Sequence, residues 1–353
     1  MTLFYIIKNV NEPQLHFFSS SDIPFSSSYY YFLNRDINYL KTNYSNLTYY
    51  QSILHSYSLL NKINPYTKKK SKKTNFFLYY ELMNIFSVYK IQFTDNLKIN
   101  SYNSFSSSPI LFSVFENKST TPFSFLTFTQ NTFCMKYFIQ RQLPNSFHTI
   151  CYNLFSKKKI INLLKKSFQK KFDILIFELS NKDYKKQNLS FCLLIILFFI
   201  LFHQNQTNQS MFILKIRNIN PLLSQFIYIL SYIFDSCCIV KSTIYDKFKN
   251  EKYLICKKLN SNVKLFQKYK HKIKKMIIHE ESITSFLHKS PSIYFMNHIN
   301  EINNLMAQEQ LLFLEQFIHF FQTSHLNEKI NLLKINQKEK CNSFIQLLKS
   351  SYI

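Results

Sequence analysis

The chain has 353 residues, 46% of them hydrophobic, with 38 Phe and 24 Tyr but no Gly, no Trp and a single Ala, Ala307. That is enough apolar material for a sizeable core, so an intrinsically disordered chain is excluded, and the length fits one large domain with additions or two domains. The 44 basic residues against 19 acidic ones give a net charge of +25, which favours a polyanionic partner such as nucleic acid, unless the lysines are simply what AT-rich codons supply to a surface.

Ordinary usage would supply roughly 25 glycines in a chain of this size. The enriched residues (Phe, Ile, Lys, Asn, Tyr) share AT-rich codons and the missing ones share GC-rich codons, so the bias belongs to the gene. Its physical consequence is that turns and helix ends needing positive φ are expected to fall to Asn. The seven cysteines, at positions 134, 151, 192, 237, 238, 256 and 341, form no CxxC pair. Several sit inside apolar runs, as reduced core thiols of an intracellular protein do.

Residues 1–65 are rich in Ser, Tyr, Asn and Phe and show weak periodicity; no chemistry attaches to them. The N-terminus lacks a basic region followed by an apolar block, so no signal peptide is expected and the setting is read as intracellular and cytoplasmic. Lysines 68, 69, 70, 72 and 73 form a basic run, read as a linker or as a phosphate-contacting arm. Thr74 to Val88 reads as a helix with Thr74 as its N-cap, and residues 96–123 as a Ser/Asn-rich loop.

From Phe123 the pattern alternates. Strands are expected at 123–128, 147–154, 172–177, 211–216 and 251–256, with helices at 131–141, 160–168, 189–202 and 222–234 and a short strand at 238–241. Strands joined by helices imply an α/β fold with a mostly parallel, doubly wound sheet and a ligand site at the strand carboxyl ends. Leu189 to Phe202, about 14 residues, is short against a bilayer core of about 30 Å and reads as a buried helix, so no membrane partner is expected. From about 261 the alternation stops. A basic helix is expected over 263–278, a long amphipathic one over 300–322 and another over 327–350. The domain reading is therefore 1–65, 66–260 and a helical C-terminal extension, 261–353.

The chemistry concentrates in Met211-Phe212-Ile213-Leu214-Lys215-Ile216 and Glu251-Lys252-Tyr253-Leu254-Ile255-Cys256. A lysine inside an apolar strand and a glutamate opening another can form a proton-handling pair if the strands are neighbours. The alternative is a strand-end lysine reaching solvent. Asp173-Ile174-Leu175-Ile176-Phe177-Glu178 ends a third strand on an acid. The ten histidines show no metal-like spacing, so no metal site is expected.

The order strand-Lys, helix, strand, Glu-strand resembles the FtsJ/RrmJ family of RNA ribose 2'-O-methyltransferases, over about residues 74–259 and nearest to the cap methyltransferases of large DNA viruses. The resemblance implies a Rossmann-like methyltransferase domain, S-adenosylmethionine as cofactor and a Lys-Asp-Lys-Glu tetrad. Lys215, Glu178 and Glu251 fall on its last three catalytic positions, and Leu78 stands where the first lysine belongs. Thr127, Thr129, Asn131 and Asp173 fall in the cofactor-binding segments, which here have no Gly to let backbone approach a ligand. Lys241, followed by Ser242, stands near the RNA substrate, and Lys69 and Lys70 are further RNA-contacting candidates. Two functions follow: a 2'-O-methyltransferase acting on RNA, with mRNA caps as the expected target; or a catalytically inactive relative serving as an RNA-binding or stimulatory subunit, with a protein partner in a capping or RNA-processing complex. The residues by themselves leave a third reading open, a structural protein with an unrelated α/β fold.

Overall fold

The computed structural model describes residues 2–8, 12–18, 55, 57, 59, 84, 99–102, 126–128, 150–152, 174–179, 186–204, 206, 210–242, 251–322 and 326–352. The expected helices at 131–141 and 160–168, and nearly all of the one at 74–88, lie outside these residues.

A six-stranded sheet forms the framework. In chain order its strands are β1 (Thr2–Tyr5), β3 (Ile99–Tyr102), β6 (Ile174–Glu178), β7 (Met211–Ile216), β8 (Phe234–Lys241) and β9 (Lys252–Leu259). Across the sheet they run β1-β8-β9-β7-β6-β3. β3, β6 and β7 are parallel, whereas β9 runs antiparallel to both of its neighbours, β7 and β8, and β1 is antiparallel to β8. The fold is α/β, but the expectation of a mostly parallel sheet is corrected: three of the five strand pairings are antiparallel. The reason is the short return from β8 to β9. Ten residues, 242–251, separate the two strands, fewer than the dozen or more that a parallel crossover needs.

Three further expectations change. The 123–128 and 147–154 segments contribute β4 (Leu126–Phe128) and β5 (Ile150–Tyr152), which pair with each other in a separate parallel ribbon instead of joining the large sheet. Strand β3 lies within the stretch expected to be loop. The N-terminal residues supply β1 to the central sheet and β2 (Leu15–Phe18), which pairs with β10 (Ser285–Leu287).

Helix α1 (Lys186–His203) is apolar on every face from Leu189 on, and Leu189–His203 is buried throughout, as a helix hydrophobic all round is when it packs in a core. Among the described residues no helix is long and apolar enough to cross a membrane. Helix α2 (Pro221–Ile233) starts where the sequence dictates. Asn220 accepts from the Leu223 N–H at 2.8 Å as N-cap, and Pro221 takes the first helical position, where a missing N–H costs nothing. Its Leu223, Phe226, Ile227 and Leu230 join α1 and Phe212, Leu214 and Ile216 of β7 in one core. The expected basic helix divides into a 3-10 segment, Ser261–Tyr269, and α3 (Lys270–Ile278). The long helices α4 (Ile293–Gln322) and α5 (Leu326–Tyr352) follow. Phe295, Ile299, Ile302 and Met306 of α4 recur at helical spacing and complete the core.

Positive φ falls among the described residues on Lys258 (59°) and Glu280 (57°), and on no asparagine. At α3 the reason is positional. The Glu281 N–H donates to the Met276 carbonyl and the Glu280 N–H to that of Ile277, the paired bonds of a helix ending in which glycine ordinarily takes the left-handed position. With no glycine in the chain, exposed Glu280 carries the strain. Replacing Glu280 by Gly is expected to stabilise the fold by about 1 kcal/mol in chemical denaturation, since the left-handed region costs a Cβ-bearing residue roughly 1–2 kcal/mol and glycine's entropy offsets part of the gain. An unchanged or lower midpoint refutes that reading.

Candidate functional site

β9 lies beside β7, and the register sets Lys215 opposite Tyr253 and Ile216 opposite Lys252. Continuing that register past the end of the ladder brings Glu251 opposite Arg217. Alternation along a strand then places Lys215, Arg217, Glu251 and Tyr253 on one face. The contacts follow. Lys215 Nζ lies 2.8 Å from Glu251 Oε2, and Arg217 Nη2 donates to Glu251 Oε1 at 2.8 Å. The Lys215 ammonium also sits 5.6 Å from the centre of the Tyr253 ring. Side-chain exposure is 10% for Lys215, 16% for Glu251 and 31% for Arg217, so the lysine is the innermost member and the arginine opens to solvent. One carboxylate therefore holds two cations in a poorly solvated place. Removing it would leave them facing each other unscreened, a loss of about 3–5 kcal/mol for breaking a buried pair.

On the other side β6 runs parallel to β7, and the register sets Glu178 beside Lys215. The Leu179 N–H donates to the Lys215 carbonyl at 3.4 Å. The carboxyl ends of two parallel strands thus meet at positions 178 and 215, the edge where α/β sheets bind ligands. Sequence reading brought out Lys215, Glu251 and Glu178 and missed Arg217 and Tyr253. The signal for Arg217 was its spacing, two residues after Lys215 and so on the same strand face.

The turn that follows Arg217 is clamped from outside. Asn303 of α4 donates to the Ile219 carbonyl at 2.9 Å, and its Oδ1 accepts from the Ile219 N–H at 3.4 Å. Asn303 is buried, so Asn303→Ala orphans both backbone groups of Ile219. The expected destabilisation is about 2 kcal/mol by denaturant titration; a change below about 0.5 kcal/mol would show that water or another group replaces the amide.

Lys241 has a different position from the one the sequence implied. It is 2% exposed, and its ammonium rests 2.8 Å from Glu309 Oε2 on α4, so it is not presented to an RNA strand. Val240 pairs with Tyr253, which puts Lys241 and Lys252 on the opposite face from Lys215. Thr127 lies on β4, which sits beside the edge strand β3 without joining the large sheet's ladder. Thr129, Asn131, Asp173, Lys69, Lys70 and Leu78 lie outside the described residues. Among those residues no group of three His, Cys, Asp or Glu could hold a metal. Cys237 and Cys256 are register partners in the buried sheet, and burial pushes the Cys256 thiol well above its ordinary pKa, as expected of unreactive core thiols.

No family model matches the chain, and no curated protein does. Several solved structures are similar in part, among them two solved with SAH. The crystal structure of human methyltransferase-like protein 13 in complex with SAH is 10% identical, at a TM-score of 0.32, over 57% of this chain and 90% of its own. PigF with SAH is also 10% identical, at 0.31, over 65% of this chain and 70% of its own. The site described above rests on its own geometry.

Lys252 carries the largest electrostatic load near the site. It is wholly buried, and burial first, then the charge of Lys241, lowers its pKa from 10.5 to about 7. Below pH 7 the folded protein must hold this ammonium in its core. Between pH 7 and 10.5 the unfolded chain binds the proton and the folded chain has released it, so this group's contribution to stability rises with pH across that window. Lys252→Met is expected to melt higher than the wild type, with an advantage that is greatest below pH 7 and shrinks toward pH 10.5. A difference that is constant with pH would mean that Lys252 titrates alike in both states.

Proposed function

We propose that this chain is an RNA ribose 2'-O-methyltransferase-like protein, with Lys215 at the centre of the site. The observation that carries the proposal is the 2.8 Å contact between Lys215 and Glu251, made by neighbouring strands on one face beside the carboxyl end of β6. The chain order of these residues, and Glu178 in register with Lys215, support the FtsJ-like reading of the sequence. Methyl transfer to a ribose needs the 2'-hydroxyl held in line with a methyl donor and its proton drawn away. In this reading Lys215, once it has given up its own proton to solvent, takes the hydroxyl's proton as the methyl group transfers, while Glu251 fixes the lysine's direction and keeps it from swinging into solvent. Arg217, drawn onto the same carboxylate, brings back beside Lys215 a positive charge that Leu78 does not supply. S-adenosylmethionine, when bound, supplies the methyl group, and Thr127, Thr129, Asn131 and Asp173 are the residues that would hold it. Direction toward mRNA caps is the finer part of the proposal.

The second reading, an RNA-binding or stimulatory subunit without catalysis, is favoured by one observation: the chain has no glycine anywhere, so every candidate cofactor loop carries side chains where backbone would approach the ligand. Calorimetry with S-adenosylmethionine, and mass analysis of RNA ribose after incubation, separate the two. The enzyme reading expects saturable cofactor binding and a 2'-O-methylated product. It also expects Lys215→Ala to lower the rate at least about a hundredfold, the scale of a lost acid-base group, with RNA affinity nearly unchanged. RNA binding without cofactor binding or product would establish the inactive subunit instead.

A further inference from the structure

A second surface lies apart from the Lys215 site. Strands β2 and β10 form a short antiparallel ribbon whose inward side chains anchor it to the core. Leu15, Phe17, Phe286 and Leu287 are buried, Phe286 lies 6.0 Å from Phe226 of α2, and Gln225 accepts from the Phe286 N–H at 2.8 Å. The outward side chains are not aliphatic or acidic. They are three rings, His16, Phe18 and His288, all exposed. His16 and Phe18 have ring centres 4.2 Å apart, His16 and His288 5.6 Å, and Phe18 and His288 6.3 Å. Backbone bonds at both ends hold the cluster: the Thr284 N–H donates to the Phe18 carbonyl at 2.8 Å and the His288 N–H to that of Gln14 at 3.2 Å.

The ribbon is also joined to the most basic segment of the described chain. Lys272 of α3 places its ammonium 5.2 Å from the centre of the Phe17 ring, and Lys268 lies 3.9 Å from Glu12, three residues before β2. Residues 261–289 hold seven lysines against two acids, Glu280 and Glu281. Lys264, Lys268, Lys270, Lys272, Lys275 and Lys289 are exposed. A solvated helix face accounts for lysines by themselves. It does not account for an anchored patch of three clustered rings turned to water beside them.

We propose that this ribbon and α3 form a binding surface for single-stranded RNA, in which bases stack on His16, Phe18 and His288 and the neighbouring lysines neutralise the phosphates. Stacking platforms flanked by positive charge are how proteins hold unpaired strands without reading sequence, and charge complementarity favours a polyanion over a neutral partner. A duplex keeps its bases stacked internally and cannot use the rings. The surface needs no chemistry at Lys215, so it stands whether or not the chain transfers methyl groups.

The test is fluorescence anisotropy of the full chain with a labelled short oligouridine, with the same strand in a duplex, and with phosphatidylserine vesicles. His16→Ala/Phe18→Ala is expected to weaken oligouridine binding about tenfold or more, the scale of one lost base stack, while leaving the salt dependence and the duplex affinity unchanged. Lys268→Gln/Lys272→Gln is expected to flatten the salt dependence for both RNAs. Phe18→Tyr, which keeps the ring and the fold, is expected to bind as the wild type does, and His288→Ala, at the exposed end of the ribbon, gives an independent loss. Equal losses on single strand and duplex, no effect of removing the rings, or binding to vesicles without binding to RNA would each overturn the proposal.

Discussion

The structure turns on β9. It is hydrogen-bonded along both edges, to β7 on one side and β8 on the other, and it runs against both. A strand in that position is buried on both faces, and its residues are sorted strictly by the pleat. Glu251 and Tyr253 fall on the Lys215 side, and Lys252 and Leu254 on the helix-packed side. The same backbone that brings a carboxylate to Lys215 therefore drives another lysine, Lys252, into the core. A slip of one residue would exchange the two faces, removing Glu251 from Lys215 and setting Lys252 in its place. Register is thus the constraint from which both the candidate site and its electrostatic cost follow.

The C-terminal helices brace this arrangement. Helix α4 contributes Asn303 to the turn after β7 and Glu309 to Lys241 at the end of β8. Both contacts reach the end of the sheet that carries Lys215 and Glu251. At the other end of β9, Ser210 accepts through its carbonyl from the Lys258 N–H at 2.7 Å and through its hydroxyl from the Leu259 N–H at 2.6 Å. Lys258, in the left-handed region, is held further by Asp235 at 2.8 Å. That hydrogen bond is the main reason the Asp235 carboxyl stays below its ordinary pKa. Strain at one residue is offset by three bonds around it.

The absence of glycine shapes what this fold does well. Helix starts are unaffected, because Asn and Pro serve there, as at Asn220 and Pro221. A helix end such as that of α3 needs the left-handed region, and among the described residues that region falls to Lys258 and Glu280 at a conformational cost. Surfaces that bind through side chains lose nothing. This is why the basic, ring-bearing ribbon and the Lys-Glu-Arg cluster are well formed, whereas a site built on bare backbone would not be.

Much of this was legible in the sequence. Apolar pattern placed α1, α2, α4 and α5, the apolar runs placed β6, β7 and β9, and the spacing of Lys215 and Glu251 marked them as partners. These are local properties, fixed by hydrophobic period and by which residues cap a helix. The direction of β9, the withdrawal of β4 and β5 into their own ribbon, and the recruitment of β1 were not legible, because strand pairing depends on residues far apart in the chain. Arg217's hold on Glu251, the burial of Lys241 against Glu309 and the meeting of β2 with β10 across more than 260 residues belong to the same class. The sequence by itself determined that a lysine would lie inside one apolar strand and a glutamate at the start of another in a basic α/β protein. Only the tertiary structure decided that they share a face, and which other charges that face would hold, since side-chain neighbours across a sheet are set by register and not by sequence distance.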